Sequence, residues 1–558
     1  MIGYYSLRNA KKILSALNQP AATETVCGVF CGDELRKFPG DHFVSEDDKH
    51  LAACCGYVLN DQEIAADLGK SDLFGSLCAL SDAGTPISNA LYGAYFAAVF
   101  DKRTNRLTLT NDELSKQPLY YWAADGDLLF STRFFDLADV LKRMGVTLTP
   151  DAMGVSMMAK TGALWEDFTY AEEIRFLRPF TELTAAPEGV AEKALPYPAL
   201  HLNADADEAV ERIDALFSEA VRLQYEKNAA AGYGQLASLS GGMDSRCVLV
   251  RAGQLGFTDD LTFTYAESGS LDMEISGALA RHYRLPHLFF AMDNGGFLVK
   301  REQYTRGNEG QMLYCGSTGV EQVVSSLNTG AYGLVHTGIS GGEIFGDIIP
   351  AEGDGPEGFL HLDKLLARLA CPDEKRTERL RERAKAYPTF NCFRQLSDIR
   401  TNTNFFATVS PYVFAASPYL YEPLYTYLMT LPISMKGFRK LYYRWVDRKL
   451  KLPYRTTDAS LPRLTGTLAE RYARQALRNM QKKLGAKTRY DMNPFDLWMR
   501  ENPALSDYIE STYQADMASL STLDPSIREY LASLFPAQTA REKLCTLTAT
   551  WALQKLLG

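Results

Sequence analysis

The amino-acid sequence predicts a protein of mixed α/β and α+β class with two domains, residues 1–200 and residues 201–558. Three observations lead to this prediction. Short segments rich in strand-forming residues, with turn signals between them, run through residues 52–130. After Gly232 strands alternate with helices, which favours a parallel sheet covered on both faces. Beyond Pro356 nearly every pattern is helical, so we expect a helical C-terminal region.

Composition excludes several classes of protein. A chain of 558 residues is too long for one hydrophobic core, which also predicts at least two domains. The net charge of -9 produces a field that repels polyanions, so we expect no nucleic-acid partner. The ten cysteines include no CxxC pair of the kind that builds a zinc site.

The sequence also argues against a membrane partner. No run approaches the roughly 20 apolar residues that cross a bilayer. The opening residues, MIGYY, lack the basic region and apolar stretch of a signal peptide. The expected location is cytoplasmic.

In the first domain, residues 92–101 and 106–110 predict two strands joined by a charged turn. A stretch rich in Ala, Pro and Asp, from residue 186 to about 207, predicts weak order. Residues 208–226 then predict a helix, because their apolar positions share one helical face. We place the domain boundary in the stretch before this helix.

In the second domain, strand and helix signals follow each other twice around a glycine-rich turn. The predicted elements are a strand at 235–239, a helix at 247–255, a strand at 261–265, a helix at 273–283 and a strand at 288–290.

The turn between the first strand and helix, SGGMDS, has the parts that an anionic ligand needs. Gly241 and Gly242 let the backbone approach the ligand closely, and the start of the helix offers unpaired N–H groups. Ser240 and Ser245 add hydroxyl donors, and Asp244 can hold Mg²⁺. No lysine follows the glycines, so the turn is not a Walker A loop. It predicts a site for the pyrophosphate portion of ATP; the alternative is a structural turn with a serine cap.

In this position the string SGGxDS resembles the PP-loop of the N-type ATP pyrophosphatases, which cleave ATP between the α and β phosphates. Residues 261–287 resemble the second strand-loop-helix of asparagine synthetase, and residues 337–346 resemble its GxGSDExFGG loop. Three strings of the first domain are similar to the NGEIYN, RDxxGxxPLYY and FaSE strings of that family: residues 55–60, 111–121 and 128–131. The resemblance covers about residues 50–460.

The resemblance to the asparagine synthetase superfamily implies a fold, ligands and site residues. Residues 1–200 would form an Ntn-hydrolase-like αββα sandwich of the glutaminase type, and residues 201–558 a PP-loop adenylating domain. The implied cofactors are ATP and Mg²⁺. The residues implied to bind ATP are Leu239, Ser240, Gly241, Gly242, Asp244, Ser245, Thr264 and Gly338.

The N-terminus departs from the glutamine-using members of that family. They need a cysteine directly after the initiator methionine, whose free α-amine then acts as base, but the second residue here is Ile2. Cys27 begins a string that looks like the family's start, yet it would serve only after removal of the residues before it. We therefore expect a degenerate glutaminase-like domain and a nitrogen donor other than glutamine. β-Lactam synthetases and lasso-peptide macrolactam synthetases show similar decay and use an amine carried by the substrate.

The adenylating half departs too. Ile339 stands where asparagine synthetases have Glu and β-lactam synthetases have Tyr, and it cannot accept a proton. Gly342 replaces the metal-binding Asp of the GxGSDE loop, and Tyr421 replaces the Asp of a PFLD string. Asp244 and Glu343 are then the expected metal ligands, with Glu343 also a catalytic candidate. These losses leave a noncatalytic protein open as an alternative.

Lys440 and Arg444 complete the predicted catalytic set. They lie four residues apart and so share one face of a helix. Their segment, RKLYYR, resembles the K-x-x-L-R helix of the family, whose lysine points at the α-phosphate and the leaving pyrophosphate. A fixed ammonium there would stabilise charge that builds in the transition state. The alternative is a solvated basic helix.

These patterns favour an ATP-dependent, AMP-forming amide ligase that adenylates a substrate carboxylate for attack by an amine. A peptide macrolactam or a small-molecule amide is the expected product. Asparagine synthesis from ammonia, a noncatalytic ATP-binding scaffold and an RNA-thiolating PP-loop enzyme are the rivals, the last opposed by the acidic composition. The expected partners are a small-molecule or peptide carboxylate and amine; a homodimer and a biosynthetic complex are left open.

Overall fold

The computed structural model describes residues 1–18, 26–32, 35–313, 318–347, 349–452, 456–457, 461–462, 476, 480 and 492–558. Among these residues, no helix is both long and apolar enough to span a bilayer.

The N-terminal unit contains two antiparallel sheets. The first is built from β1 (Ile2–Tyr5), β2 (Cys27–Phe30), β7 (Tyr120–Ala124), β8 (Asp127–Ser131) and β9 (Arg175–Phe176), in the order β2-β1-β8-β7-β9. The second is built from β3 (Phe43–Glu46), β4 (His50–Val58), β5 (Gly93–Asp101), β6 (Arg106–Asn111), β10 (Thr181–Ala186) and β11 (Gly189–Ala194), in the order β11-β10-β6-β5-β4-β3.

The two sheets pack face to face, because alternate side chains of both enter one buried cluster. Tyr5 and Phe130 come from the first sheet, and Phe96 and Leu109 come from the second. Helices cover the outer faces. On the first sheet these are α1 (Ala10–Ala16) and α5 (Phe134–Arg143); on the second they are α2 (Asp61–Asp67), α3 (Leu73–Asp82) and α4 (Ile87–Ala90). The expected αββα sandwich is confirmed.

One expectation about this unit was wrong. Residues 186–194 are not weakly ordered, because β11 pairs with β10 over six consecutive register positions, from Thr181 opposite Ala194 to Ala186 opposite Gly189. The polar composition reflects an edge strand with one face in solvent rather than a linker. Helix α6 (Ala152–Thr161) completes this unit.

The C-terminal unit is built on a parallel sheet. Its strands are β12 (Gly234–Ser238), β13 (Leu261–Ala266), β14 (His287–Ala291), β15 (Tyr332–His336) and β16 (Phe414–Ala416), in the order β14-β13-β12-β15-β16. Every pairing in it is parallel. The chain moves outward from β12 to β14 and then returns to the other side of β12, so the strand order reverses between β12 and β15. The predicted parallel sheet is confirmed.

Helices follow and cover this sheet. They are α7 (Ala206–Ala230), α8 (Met243–Gln254), α9 (Leu271–Tyr283), α10 (Arg301–Asn308), α11 (Thr318–Ser326), α12 (Gly341–Ile344), α13 (Leu360–Leu369), α14 (Glu374–Lys385), α15 (Phe390–Val409), α16 (Glu422–Thr430), α17 (Ile433–Lys436), α18 (Lys440–Trp445), α19 (Phe495–Glu501), α20 (Pro503–Ser519), α21 (Pro525–Leu534) and α22 (Ala540–Leu557). The helical C-terminal region is confirmed for the described residues. Its strands there are β16 and an antiparallel pair, β17 (Thr456–Thr457) and β18 (Leu461–Pro462).

Helix α8 begins four residues earlier than the hydrophobic pattern predicted, at Met243 instead of Cys247. Gly242 has the extended backbone of an N-cap residue, with φ -69° and ψ 155°, so the helix starts inside the glycine-rich turn. The early start brings Asp244 into the first helical turn.

Buried polar contacts join the two units. Tyr57 Oη donates to the carbonyl oxygen of Ala415 at 2.8 Å, and Lys116 Nζ lies 2.6 Å from a carboxylate oxygen of Glu422. Lys116 and Glu422 are both buried. The domain limits, residues 1–200 and 201–558, stay a prediction.

Candidate functional site

The glycine-rich turn lies at the edge of the parallel sheet where the strand order reverses. It joins β12 to α8, and the segment that follows β15 lies beside it. Open parallel sheets bind ligands in the crevice outside the carboxyl ends of their strands, at such a reversal. The N–H of Leu239 donates to the carbonyl oxygen of Phe263 at 2.8 Å, which fixes the turn to β13. The turn therefore stands where this fold class binds its ligands.

The two serines of the turn brace it from within. The N–H of Ser240 donates to Ser245 Oγ at 3.1 Å, and the two hydroxyl oxygens lie 3.0 Å apart. The N–H of Gly242 donates to Ser240 Oγ at 3.2 Å. These bonds hold the turn in one shape before any ligand arrives, and they give the N–H groups of Ser240 and Gly242 acceptors within the turn.

One N–H of the turn already has an anionic acceptor. Gly241 donates to Asp272 Oδ1 at 2.8 Å, from the first turn of α9. This N–H is therefore placed to bind an oxygen anion, but a phosphate would have to share it with a carboxylate of the same sign. Asp272 belongs to the segment that resembles asparagine synthetase, and its spacing alone did not predict this bond.

Arg246 supports the turn from below, although its sequence position did not single it out. It is completely buried, its Nε donates to the carbonyl oxygen of Gly242 at 3.0 Å, and its Nη2 donates to that of Gly241 at 3.1 Å. Side chains in a helix lean towards its N-terminus, so an arginine one turn into α8 reaches these carbonyls. An arginine directly after SGGMDS was the available signal.

Asp244 is held by hydrogen bonds from two distant segments. Tyr442 Oη donates to Asp244 Oδ1 at 2.5 Å, and the N–H of Gly342 donates to Oδ2 at 3.2 Å. Tyr419 Oη lies 3.1 Å from Tyr442 Oη and donates to the backbone oxygen of Asp244 at 3.3 Å. Burial, followed by the charge of Asp244, raises the pKa of Tyr442 well above its usual value, so this hydroxyl stays a donor. Asp244 is thus positioned before any metal binds.

The segment after β15 approaches the turn so closely that only glycine fits. A Cβ on Gly338 would lie 2.4 Å from the nitrogen of Ser245 and 2.6 Å from the carbonyl carbon of Asp244, and both are backbone atoms. A Cβ on Gly341 would lie 2.5 Å from Asp244 Cγ. The structure therefore brings Gly338 into contact with the turn, and its predicted contact with ATP stays a prediction.

Glu343, the second expected metal ligand, is half-buried in α12. Burial raises the pKa of Glu343 above its usual range, and a backbone hydrogen bond and the charge of Arg439 oppose that shift. Within the described residues, no three or more His, Cys, Asp or Glu side chains gather as a metal site. Mg²⁺ in nucleotide sites takes one or two carboxylates together with phosphate oxygens, so Asp244 and Glu343 suit it in number and type. Their metal role stays a prediction.

An ion pair occupies the space beside Gly342, where the resembled family carries its metal-binding aspartate. A Cβ on Gly342 would lie 2.5 Å from Arg439 Nη2 and 3.0 Å from Asp347 Oδ2, and the guanidinium pairs with that carboxylate. Arg439 adopts a left-handed backbone with φ of 58°, which non-glycine residues rarely do. The structure thus adds a fixed cation to this loop that the sequence motif did not indicate.

Thr264 lies next to the turn, but its hydroxyl is already bonded. This side chain is buried in β13 and donates to the carbonyl oxygen of Leu239. A nucleotide at this strand would therefore meet backbone atoms rather than the hydroxyl group. The nucleotide contacts of Leu239 and Thr264 stay predictions.

The two basic candidates of α18 have different surroundings. Lys440 opens the helix, is exposed, and has no hydrogen-bond or ion-pair partner in the described part of the chain. Arg444 instead pairs with Asp207 at 2.5 Å, and Lys449 pairs with Glu211 at 2.6 Å, both on α7. Arg444 therefore contacts α7 rather than the glycine-rich turn. Of these two basic residues, Lys440 is the one whose charged group is available to a ligand.

The positions that depart from the family's pattern have structural roles. The carbonyl oxygen of Ile339 accepts from Ser417 Oγ at 2.7 Å, and its side chain offers no proton acceptor. Tyr421 is buried, and its ring packs edge-on against Tyr92 with 5.4 Å between ring centroids. Tyr421 thus fills the boundary between the two units and supplies no carboxylate to the site.

The N-terminal sandwich carries no exposed thiol at the start of its first strand. Ile2 pairs with Phe30 and Ser131 inside β1, and the α-amine of Met1 is buried and donates to Thr132 Oγ1 at 2.8 Å. Cys27 lies in β2, and burial raises the pKa of its thiol far above the usual range. A thiol in this state is not a nucleophile at neutral pH.

Comparison with known families identifies the N-terminal unit. A family model described as a glutamine amidotransferase domain matches residues 40–195. That region is therefore similar to a glutamine amidotransferase domain, which is consistent with the amide chemistry that the sequence favours. The match covers only part of the chain, and membership of the asparagine synthetase superfamily is not settled by it.

Two solved structures share weak likeness with the chain. Glutamine phosphoribosylpyrophosphate amidotransferase from B. subtilis, complexed with ADP and GMP, has 9% identity and a TM-score of 0.24, over 52% of this chain and 90% of that one. A structure described as the allosteric regulatory enzyme of purine biosynthesis has 11% identity and a TM-score of 0.23, over 43% and 60%. With TM-scores this low, neither likeness supports an activity. A comparison with curated proteins gives no match.

Proposed function

We propose that the chain is an ATP-dependent, AMP-forming amide ligase of the asparagine synthetase kind. One observation carries the proposal. The turn SGGMDS stands at the strand-order reversal of a parallel sheet, with its N–H groups braced and Asp244 fixed by Tyr442 and Gly342. A site of this geometry suits an oxygen anion and a cation together, as a nucleoside triphosphate requires.

In the proposed reaction, a carboxylate oxygen of the substrate attacks the α-phosphorus of ATP and pyrophosphate leaves. An amine nitrogen then attacks the acyl carbon, a proton leaves the nitrogen, and AMP departs. Ser240, Gly241, Gly242 and Ser245 would hold the phosphate oxygens, for which the N–H groups of the first three would exchange their present acceptors within the protein. Mg²⁺ held by Asp244 and Glu343 would neutralise charge on those oxygens. The free ammonium of Lys440 is the candidate that stabilises the departing pyrophosphate.

The amine partner must be deprotonated without help from position 339. Because Ile339 carries no proton acceptor, we propose a substrate whose amine arrives neutral or is held next to its own carboxylate. A peptide that closes into a macrolactam and a small-molecule amide both satisfy this requirement. Ammonia-dependent asparagine synthesis is the alternative within the same chemistry.

A noncatalytic nucleotide-binding or scaffold role is the second candidate. The carboxylate of Asp272 on the Gly241 N–H favours it, as does the Arg439–Asp347 ion pair beside Gly342. Asp272 places a carboxylate where a phosphate of the nucleotide would bind. The Arg439–Asp347 pair places charged groups where the resembled family binds its metal ion.

The test is ATP binding by calorimetry with Mg²⁺, followed by pyrophosphate release with candidate carboxylates. We expect the wild-type chain to bind ATP and Asp244→Asn to bind it more weakly by about tenfold or more, because one charge-assisted ligand is lost. The matched control is Asp507→Asn, an exposed aspartate on α20, which should bind ATP as the wild type does.

Three results are informative. Binding lost in Asp244→Asn but kept in Asp507→Asn supports the nucleotide site. Binding without pyrophosphate release from peptide or small-molecule acids favours the scaffold. No binding at millimolar ATP contradicts the ligase proposal.

A further inference from the structure

A guanidinium fills the space that a side chain at position 342 would need. Arg439 Nη2 lies 2.5 Å from the place of a Cβ on Gly342, and Arg439 Cζ lies 3.1 Å from it. The N–H of the same glycine donates to Asp244 Oδ2 at 3.2 Å. The guanidinium of Arg439 and the carboxylate of Asp244 therefore both contact Gly342, next to the glycine-rich turn.

The backbone that carries Arg439 is strained. Phe438 has φ 58° and ψ 28°, and Arg439 has φ 58° and ψ 23°. Both values lie in the left-handed region, which costs free energy for residues other than glycine. Gly437, directly before them, has φ -48° and so does not take this conformation. Strain of this kind persists where the surrounding structure enforces it, and it gathers at functional sites.

The strained turn joins α17 to α18 and brings two side chains of one segment to the surroundings of Asp244. Tyr442, three residues after Arg439, donates to Asp244 Oδ1 at 2.5 Å. Lys440, between these two residues, is exposed instead. Arg439 is thus the cation of this segment that contacts the loop holding Asp244.

Asp347 is the present partner of the guanidinium. Arg439 Nε donates to Asp347 Oδ2 at 2.5 Å, and Nη2 pairs with the same oxygen. The backbone fixes this carboxylate beside the loop, because the N–H of Asp347 donates to the carbonyl oxygen of Gly342 at 3.3 Å. The side chains of Arg439 and Asp347 are 15% and 27% exposed, so solvent reaches both. A pair that is open to solvent contributes little stability and can be exchanged for another partner.

The charges around Arg439 determine which anion can enter. Three carboxylates, those of Asp244, Glu343 and Asp347, lie around one guanidinium; burial raises the pKa of Glu343, and the charges of Arg439 and Asp347 also act on it. This excess of negative charge repels a bare anion. An anion that carries Mg²⁺ is accepted, because the carboxylates attract the metal ion while the phosphate oxygens suit the guanidinium.

We propose that Arg439 binds the pyrophosphate part of Mg²⁺-bound ATP, and that Asp347 is the counter-ion which it exchanges for the phosphate. A guanidinium forms the same charge-assisted hydrogen bonds with phosphate as with carboxylate, so the exchange keeps a bond of that kind. The absence of a side chain at Gly342 is then what gives the guanidinium its place. This inference deepens the proposed function and rests on its nucleotide site.

The test measures the affinity of the full chain for ATP and for inorganic pyrophosphate, each with Mg²⁺, by calorimetry. Arg439→Met should weaken both by about tenfold or more, because the cation is lost. Asp347→Asn should strengthen both by about threefold or more, because it releases the guanidinium from its competitor. A pair that only holds the loop in shape predicts weaker binding in both variants.

Arg439→Met also leaves the carboxylate of Asp347 without its guanidinium, and that charge repels phosphate by itself. The double variant Arg439→Met/Asp347→Asn separates the two effects, and it should still bind about tenfold more weakly than the wild type. The matched control is Arg448→Met, which removes an arginine–aspartate pair with Asp207 on α7 and should bind both ligands as the wild type does.

The outcomes separate this inference from the proposed function. If the wild type binds ATP, wild-type affinity in the double variant or no gain in Asp347→Asn overturns the role of Arg439 and leaves the nucleotide site intact. If the wild type binds pyrophosphate but not ATP, the ligase proposal falls, and the expected order of the variants still supports Arg439. Binding of neither ligand at millimolar concentration overturns both.

Discussion

Asp244 depends on residues almost 200 positions away in the chain. Tyr442 donates to its carboxylate across 198 residues, and Gly338 lets the segment after β15 touch its backbone. Neither contact comes from the turn itself. At the residue scale, substitution of Tyr442 or Gly338 should therefore disturb the site as much as substitution within the SGGMDS turn.

Gly338→Ala should destabilise the protein, because its new Cβ would meet backbone atoms of Ser245 and Asp244 at 2.4 and 2.6 Å. Backbone cannot give way as a flexible side chain does, so we expect a loss of about 1–3 kcal/mol in the free energy of unfolding. Thermal and urea unfolding measure it. Gly253→Ala on α8 is the control: a Cβ there has open space at an exposed position of the helix, and stability should rise by about 0.4–1 kcal/mol. Equal effects of the two substitutions would argue against the close approach.

Tyr442→Phe removes the hydroxyl that donates to Asp244 at 2.5 Å. Hydrogen bonds to charged groups contribute about 1.5–3 kcal/mol, and we expect a loss of this size in unfolding measurements. Tyr332→Phe serves for comparison, because Tyr332 is half-buried and its hydroxyl makes no hydrogen bond within the described residues. That change should stay within about 0.5 kcal/mol. A neutral Tyr442→Phe would mean that Asp244 is fixed by other groups.

The sequence predicted the residues of the turn but not those that hold them. The strand-turn-helix setting of Ser240 to Ser245 follows from hydrophobic periodicity, and the structure places Gly338 against this turn. Their contacts with a ligand stay predictions. The roles of Arg246 and Tyr442 depend on side-chain direction and on long-range packing, which periodicity does not contain. The chemistry of Lys440 and Glu343 is still a prediction.

At the scale of elements, α18 and the segment that follows it, Val446–Leu450, run along α7 through pairs of opposite charge. Arg444 and Lys449 face Asp207 and Glu211, whereas Lys440 at the first turn has no such partner among the described residues. Exposed pairs of this kind contribute about 0–1 kcal/mol each, so they orient the helix more than they stabilise it. Arg444 and Lys449 therefore hold this segment against α7, whereas the ammonium of Lys440 is available to a ligand.

Lys440→Met should leave ATP binding largely intact and lower the rate of pyrophosphate release by about 10²–10³-fold, because charge stabilisation in the transition state is lost. Single-turnover kinetics measure it once a substrate acid is found. Lys449→Met, which removes only the pair with Glu211, should keep the wild-type rate. If Lys440→Met releases pyrophosphate at the wild-type rate, the lysine is part of a solvated face.

The sequence predicted well which segments with strong hydrophobic periodicity form strands and helices. It predicted less accurately the residues at which these elements begin and end. The strands and helices from Gly234 to Ala291 lie within a few residues of their predicted positions. The first turn of α8 was missed because a glycine cap starts it, and β11 was missed because an edge strand exposes polar side chains. The strand order, with β15 returning beside β12, required tertiary contacts.

At the scale of the whole molecule, buried acids gather where the two units meet. Glu422 pairs with Lys116 at 2.6 Å, and Glu113 accepts from Thr426 at 3.4 Å. Burial raises the pKa of Glu422 to about 7, and burial followed by the charge of Glu422 does the same for Glu113. Both groups therefore bind protons more tightly in the folded chain than in the unfolded chain.

This shift sets the sign of a pH dependence. Between the ordinary glutamate pKa of 4.5 and about 7, the folded state holds more protons, so stability falls as pH rises through that window. Glu113→Gln removes one of the two charges and should reduce the fall by about 1–3 kcal/mol. Melting temperatures from pH 5 to pH 8 measure it. Glu357→Gln, an exposed glutamate, should retain the wild-type slope; an unchanged slope in Glu113→Gln would sink the assignment.

Helix α22 packs back against α6 of the N-terminal sandwich. Gln538, just before α22, donates to the carbonyl oxygen of Ala159 at 3.1 Å across 379 residues, and the Sγ of Cys545 would lie 3.0 Å from a Cβ on Gly162. At about 5–20 residues per second, a ribosome needs roughly 20–75 s between making these two segments. Through that interval the apolar side of α6 has no partner from α22, so the nascent sandwich is a natural client for chaperones that shield exposed hydrophobic surface. Synthesis rate and chaperone supply should therefore affect the yield of this protein more than that of a chain whose domains close in sequence order.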